Sequence, residues 1–118
     1  MVLIVSHKNY TVEGYIPDLT VDARRGVIVH AEYVMREGDC ERLFLRVQYL
    51  KNPALSGIDA PRDEGLFVLN GSKNIDEIMA DMNLKDKLGI AHKLQGLDVD
   101  VLLQNRDNVT RIVGFAKR

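Results

Sequence analysis

The sequence predicts a mainly β domain with one helical segment, on three observations. First, residues 27–51 contain two long stretches in which apolar and polar side chains alternate with period two, as in half-buried strands. Second, the alternation returns at residues 97–104 and is followed by a turn and another β-rich run. Third, only residues 75–94 have apolar side chains at convincing helical spacing. Alternating units of strand, helix and parallel strand are absent, which argues against a doubly wound sheet.

Length and composition are those of one soluble globular domain. A chain of 118 residues, 46% hydrophobic and 28% charged, can bury a single core without disulfide or metal cross-links. Its apolar runs are far shorter than a membrane span, and residues 1–5 are too short an apolar run for a signal peptide. Cys40 is the only cysteine, so we expect a reducing, cytoplasmic environment.

The first half of the chain predicts a hairpin. A short strand at residues 2–5 is followed by a turn-rich lead-in at residues 7–25. Residues 27–36 and 42–51 then read as two long strands, joined at residues 37–39 by a connection whose glycine tolerates positive φ.

Strict alternation also assigns the faces of these two strands. In the second strand, Leu43 and Leu45 lie on one face, and Phe44 and Arg46 lie on the other. In the first strand, alternation places Ile28 on the face opposite to Val27, Val29 and Ala31.

The second half predicts a loop, a strand, a helical region and a final hairpin. Proline and glycine make residues 52–65 a loop, and residues 66–69 form a short strand. Asn74 is a candidate helix cap, and the helical region breaks near Asn83, with Gly96 at its C-terminal end. Its first apolar stripe is made of Ile75, Ile78, Met79 and Met82, which we interpret as core packing against the sheet.

This order of elements favours a particular barrel. A helix between the third and fourth long strands of an antiparallel meander is typical of the OB-fold, a five-stranded and partly open barrel. An open α+β antiparallel sheet with one helix on its back would give the same order of elements and is the alternative.

Three segments also suggest a family. Residues 79–84 end a helix, residues 94–101 combine Leu-x-Gly with an alternating valine strand, and residues 108–115 open the last strand with Asn-Val-Thr followed by Arg-Ile. Through these three segments, residues 66–115 resemble the second half of phage- and plasmid-type single-stranded-DNA-binding OB proteins. The resemblance implies a domain that binds single-stranded nucleic acid and is encoded by a phage or mobile element.

A nucleic-acid site on such a barrel needs aromatic faces for bases and cations for phosphates on one surface. Phe44 and Arg46 share a strand face, and Arg111, Phe115 and Lys117 share one side of the last strand. We therefore predict these five residues as the nucleic-acid-binding site. The alternative is that both phenylalanines lie in the core and the arginines are merely solvated.

Other reactive residue types form no convincing site. Asp98 and Asp100 share a strand side at a spacing that suits a hard divalent cation, but no third acidic residue follows, and a solvated face is the preferred interpretation. The three histidines form no metal-binding pattern, and the acidic neighbours of Cys40 disfavour a reactive thiolate. We therefore expect no metal, no cofactor and no enzymatic activity.

The predicted partner is single-stranded nucleic acid, and we expect no association with a membrane. A formal net charge of −1 supplies no general attraction to polyanions, so any such binding must be local. The alternative is a protein-interaction or self-assembling module, such as a homo-oligomer, that uses sheet edges and the helix face.

Overall fold

The computed structural model describes most of the chain, namely residues 11–12, 14–16, 18–36, 40–55, 57–81 and 83–118. The strand predicted at residues 2–5 and the connection predicted at residues 37–39 lie outside the described residues, as does Met82 of the helix stripe. No helix in the described part of the chain is long and apolar enough to cross a membrane.

Six strands and two short α-helices make up the structure. Their bounds are β1 Thr11–Val12, β2 Val21–Arg36, β3 Cys40–Leu50, β4 Arg62–Asn70, α1 Ser72–Asp81, α2 Ile90–Leu94, β5 Asp98–Arg106 and β6 Val109–Lys117, with a 3₁₀ turn at Lys87–Gly89 before α2. The strands form one antiparallel sheet in the order β1-β6-β5-β2-β3-β4. The mainly β fold with a helical segment between strands is therefore confirmed.

Strand β2 joins the two halves of the sheet. Its first part pairs with β5, from Val21 opposite Gln104 to Val27 opposite Asp98, and its second part pairs with β3. The two pairings overlap at Gly26, where a Cβ atom would lie 2.6 Å from the backbone oxygen of Gln48. Only glycine allows this close approach, which lets the long strand turn from one partner to the other.

The sheet curls until its two ends meet. The ring of Phe67 on β4 packs edge-to-face on the ring of Phe115 on β6, with centroids 5.6 Å apart and an interplanar angle of 78°. Beside them, a Cβ atom on Gly65 would lie 2.8 Å from Cδ1 of Ile112. No backbone ladder joins β4 to β6 in the described structure, so side chains alone close this seam. The result is the partly open OB-like barrel that the sequence predicts.

The helices cover one end of the barrel. Ile75, Ile78 and Met79 of α1 are buried, as their helical spacing predicts. The helix begins at Ser72, so the prediction that Asn74 caps it is wrong: Asn74 lies within the first turn, and Gly71, with φ +89°, precedes the helix. The predicted break is confirmed, because Asn83 has φ +55° just beyond the helix.

A bulge corrects the faces predicted for β2. Ile28 lies opposite Val47, but His30 lies opposite Arg46, so Val29 is the extra residue of a β-bulge. Ile28 and Ala31 consequently both reach the core, although strict alternation places them on opposite faces. His30 and Glu32 of β2 are therefore exposed on the outward face beside β3.

The lead-in before β2 packs on the outside of the barrel. Its anchor is Gln104, which is only 3% exposed. The Gln104 side chain accepts a hydrogen bond from the Ile16 backbone N–H (3.0 Å) and donates to the backbone oxygens of Ile16 (2.7 Å) and Leu19 (3.3 Å). A second, smaller apolar cluster of Val21, Leu102 and Val113 lies on the same side of the sheet.

Candidate nucleic-acid interface

Strand β3 presents a cationic and aromatic row on the outside of the barrel. Leu43 and Leu45 point inward and are fully buried. Their neighbours Arg42 and Arg46 are exposed, and Phe44 between them is partly exposed. Alternate residues of a strand are about 7 Å apart, so the phenyl ring has a guanidinium group on each side along the strand. We call Arg42, Phe44 and Arg46 the β3 row.

The neighbouring strands widen this row into a surface. On β2, Glu32 lies opposite Phe44 and His30 lies opposite Arg46. On β4, the corresponding partners are apolar: Val68 opposite Phe44 and Leu66 opposite Arg46. Leu66 is 60% exposed, which is unusual for a leucine within a strand and gives the surface an apolar border. We call the β3 row with these four partners the outer face.

Arg46 already has one ionic partner. Its Nε lies 3.1 Å from Oε1 of Glu64, with side chains that are 57% and 45% exposed. Such exposed pairs contribute about 0–1 kcal/mol to stability and weaken in salt. A phosphate can therefore replace Glu64 as the partner of Arg46 at small cost.

Arg111 borders the outer face across the barrel seam. It is exposed near the start of β6, opposite Gln104 of β5. Together with Glu64 and Leu66 of β4 it lines a cleft of about 390 Å³ between β4 and β6. The structure thus places Arg111 on the border of the same surface as Phe44 and Arg46, although β3 and β6 are not adjacent in the sheet.

Phe115 does not belong to this surface, and its prediction as a base-stacking residue is corrected. It is 5% exposed and contributes to the main core. The reason is a second bulge: Leu102 lies opposite Gly114 and Leu103 opposite Ile112, so Val113 is an extra residue and the faces change there. Arg111 and Phe115 therefore do not share a side of β6, as strict alternation predicts.

Lys117 is exposed but lies at the other end of β6 from Arg111. Its strand partner is Val99, a fully buried core residue, so Lys117 continues the inward column of side chains past the end of the barrel. Of the five predicted residues, the structure brings Phe44, Arg46 and Arg111 onto one continuous surface.

Sequence reasoning missed two cations of this region. Arg42 precedes Phe44 by two residues, so the period-two pattern contained the signal for it. Arg62 was hidden because residues 52–65 read as a loop, whereas the structure starts β4 at Arg62, opposite Leu50.

Arg62 belongs to a second cleft, of about 420 Å³, between the end of β3 and the start of β5. Its cationic lining is Arg25, Arg62 and Arg118, and we call it the three-arginine cleft. Among the described residues that line it, Asp98 is the only acidic one.

The two aspartates of the β5 pair have different surroundings. Asp98 is exposed, whereas Asp100 is only 13% exposed and its Oδ1 lies 3.2 Å from Nη1 of Arg118. No group of three or more His, Cys, Asp or Glu side chains suited to a metal ion occurs among the described residues. The pair is therefore not simply a solvated face, since one member holds Arg118.

A partly buried ionic cluster, centred on the buried Glu41, lies at the helix-covered end of the barrel. The Tyr33 hydroxyl and the Lys87 ammonium both donate to Oε1 of Glu41, each at 2.6 Å, and Lys87 Nζ lies 3.3 Å from Oδ1 of Asp76. The Lys87 and Tyr33 hydrogen bonds lower the pKa of Glu41, and the bond to Glu41 raises the pKa of Lys87. Burial and the bond to Glu41 raise the pKa of Tyr33.

These shifts hold Glu41, Lys87 and Tyr33 in their ordinary charge states at neutral pH. A catalytic acid–base pair instead has pKa values moved toward the operating pH. Through Lys87, the cluster ties the Lys87–Gly89 turn to Glu41 of β3 and to Asp76 of α1.

Comparisons of the chain with protein-family models, with curated proteins and with solved structures gave no match. The function is therefore inferred from the geometry of this chain alone.

Proposed function

We propose that this domain binds single-stranded nucleic acid along the outer face and catalyses no reaction. One observation carries the proposal: Phe44 is presented between Arg42 and Arg46 on the second long strand of an OB-like barrel. The face of the second and third strands is the surface on which OB-folds bind oligonucleotides. A phage or mobile-element origin and a cytoplasmic location, which suits the single cysteine, belong to the same proposal.

The contacts divide between bases and phosphates. The ring of Phe44 would stack on a base, and the exposed side chain of Leu66 and the partly exposed side chain of Val68 would contact the adjoining base or sugar. Arg42, Arg46 and, across the seam, Arg111 would hold phosphates. Because every base has a π-face and these cations contact the backbone, binding should depend little on base sequence.

The charge of the protein limits the affinity. A net charge of −1 gives no long-range attraction, and Glu32 and Glu64 lie beside Phe44 and Arg46. We therefore expect binding that is strong only at low salt, since it rests on a few local phosphate contacts.

The proposal is tested by fluorescence anisotropy with labelled oligo-dT. Salt is varied from about 20 to about 200 mM, the range over which phosphate contacts weaken. Phe44→Ala should weaken binding by about 5-fold or more, the effect of losing one base-stacking ring, while its melting temperature stays close to that of the unchanged protein. Val12→Ala is the matched control, because Val12 is a partly exposed apolar residue of β1, away from β3. Absence of binding at roughly micromolar protein and about 20 mM salt, or equal binding by Phe44→Ala, would refute the proposal.

Self-association is a second candidate. Within the residues that the structure describes, β4 has no ladder partner on its seam side, and Leu66 on that strand is exposed. Analytical ultracentrifugation across protein concentrations measures it directly. A mass that stays monomeric at all concentrations would exclude a homo-oligomer.

A further inference from the structure

The three-arginine cleft continues the outer face beyond the β3 row. Gln48 follows Arg46 on the outward side of β3 and lines the cleft, and Arg62 lies opposite Leu50, the last residue of that strand. From Phe44 to Leu50 is six residues, or about 20 Å of strand. A single strand of nucleic acid lying along β3 would therefore reach the cleft within a few nucleotides.

The cleft has an excess of positive charge. Three arginines line it against one aspartate, Asp98. Arg118 is held by Asp100, with Nη1 and Oδ1 3.2 Å apart, and its side chain is 33% exposed. Arg25 lies opposite Asp100 in the β2–β5 register, and within the described residues neither Arg25 nor Arg62 forms an ion pair. Guanidinium groups of this kind match the paired oxygens of a phosphate.

An apolar side chain lies at the rim of this charged cleft. Ile58 lines it and is 98% exposed, so its side chain packs on almost nothing. The loop that carries it is nevertheless ordered by its own hydrogen bonds: Lys51 N–H donates to the Pro61 oxygen (3.0 Å), and Ala60 N–H to the Gly57 oxygen (3.3 Å). An isoleucine presented in this way gains by covering a base or sugar, because that removes its apolar surface from water.

We propose that the three-arginine cleft is a second subsite for the same nucleic acid, in which Arg25 and Arg62 hold a backbone phosphodiester and Ile58 covers the adjoining nucleoside. This inference rests on the proposed function and extends it. It assigns a route to the bound nucleic acid: along β3 from Arg42 toward Arg62, and then under the loop between β3 and β4.

The test compares the double variant Arg25→Gln/Arg62→Gln with the control Lys85→Gln/Lys93→Gln, which removes two exposed charges from the helical region instead. Each is titrated with labelled dT12 over a range of salt. Removing two phosphate contacts should flatten the plot of log affinity against log salt by about 1.4, and the control should not change it. Ile58→Ser should weaken binding of dT12 while leaving that slope unchanged, since it removes no charge.

A second probe separates this inference from the proposed function. Tripolyphosphate is titrated into ¹⁵N-labelled protein, and the amide signals of Gly26 and Gly57, both in the cleft lining, are followed. Shifts in the unchanged protein that vanish in the double variant support the subsite even if dT12 does not bind, which would refute the nucleic-acid function alone. If dT12 binds, and the double variant matches the control in slope and affinity, the cleft is not a subsite and the function on the outer face stands.

Discussion

At the scale of single residues, the two phenylalanines predicted to stack on bases lie on opposite sides of the sheet: Phe44 on the outer face and Phe115 in the core. The period-two pattern of β3 has no bulge near Phe44, so alternation alone placed that ring correctly on the outer face. On β6 the extra residue Val113 shifts the alternation, and Phe115 turns into the core. The sequence contains both rings, but a bulge depends on the register with the neighbouring strand, which local alternation does not reveal.

Phe115→Ala should destabilise the protein rather than affect a surface. Removing a buried phenyl ring costs about 3–5 kcal/mol, and here it also deprives Phe67 of its edge-to-face partner. We expect urea unfolding to show a loss of that size, with a smaller loss for Phe115→Leu, which keeps part of the volume. Near-normal stability combined with lost oligonucleotide binding would instead place the ring at the interface.

Glu41 should make stability depend on pH in the acid range. Its folded pKa lies below the ordinary value of 4.5, so the unfolded state binds more protons and the contribution of Glu41 is complete above that value. It is lost as the pH falls through the lowered pKa. Glu41→Gln should therefore melt at a lower temperature than the unchanged protein at pH 7, and the difference should shrink toward pH 3 (about a unit or more below the ordinary pKa).

The control for this measurement is Asp59→Asn, which removes an exposed loop carboxylate. A constant difference between the Glu41→Gln and unchanged proteins at every pH would contradict the prediction. On the alkaline side the raised pKa values of Tyr33 and Lys87 act in the opposite sense: their contributions are complete below the ordinary values of 10.0 and 10.5 and are lost at higher pH.

At the scale of elements, the strand bounds were predicted best where the alternation of apolar and polar residues agrees with the pairing between strands. Strand β3 and both strands of the last hairpin were located within a few residues. The start of β4 was predicted four residues too late, because the charged residues Arg62, Asp63 and Glu64 have little intrinsic β preference. Pairing with β3 decides their conformation, and Val21–Val27 of β2 is a strand for the same reason, through β5.

The lead-in is held to the barrel by one buried amide, which gives an element-scale prediction. Gln104→Met keeps the approximate shape but leaves the Ile16 N–H and two backbone oxygens without their partner. We expect a loss of about 1–3 kcal/mol and faster amide hydrogen exchange at Ile16. Asn105→Ala, at the exposed neighbouring position, should change neither quantity. Unchanged protection of Ile16 in Gln104→Met would show that other contacts hold the lead-in.

At the scale of the whole molecule, the order of elements favoured the barrel but left the open α+β sheet as an alternative, and the packing of β4 on β6 decides for the curled sheet. The helix between the third and fourth long strands and the two hairpins leave few arrangements of five antiparallel strands. The site was only partly predictable, because Arg111 reaches Leu66 through curling of the sheet rather than through strand pairing. Arg111 and Leu66 lie near each other because the barrel closes, and no local sequence pattern indicates this proximity.

The seam can be tested by filling its tightest point. Gly65→Ala would place a methyl group 2.8 Å from Cδ1 of Ile112, so either the side chain or the strand must move. We expect a loss of about 1–3 kcal/mol from overpacking. Combining it with Ile112→Val, which removes the crowding methyl group, should cost less than the sum of the two single changes. Additive losses in this double-mutant cycle would show that the two strands do not press on each other.

The division of β2 between two partners has a consequence for synthesis of the chain. Arg36 and Cys40 are ladder partners only a few residues apart in the chain, so they can pair early in synthesis. Val21 can pair with Gln104 only after the ribosome has added Gln104, which happens much later. Until then, half of the longest strand exposes unpaired peptide groups to other nascent chains. Arg24 and Arg25 lie within that half, and their charges oppose stacking of one incomplete molecule on the next.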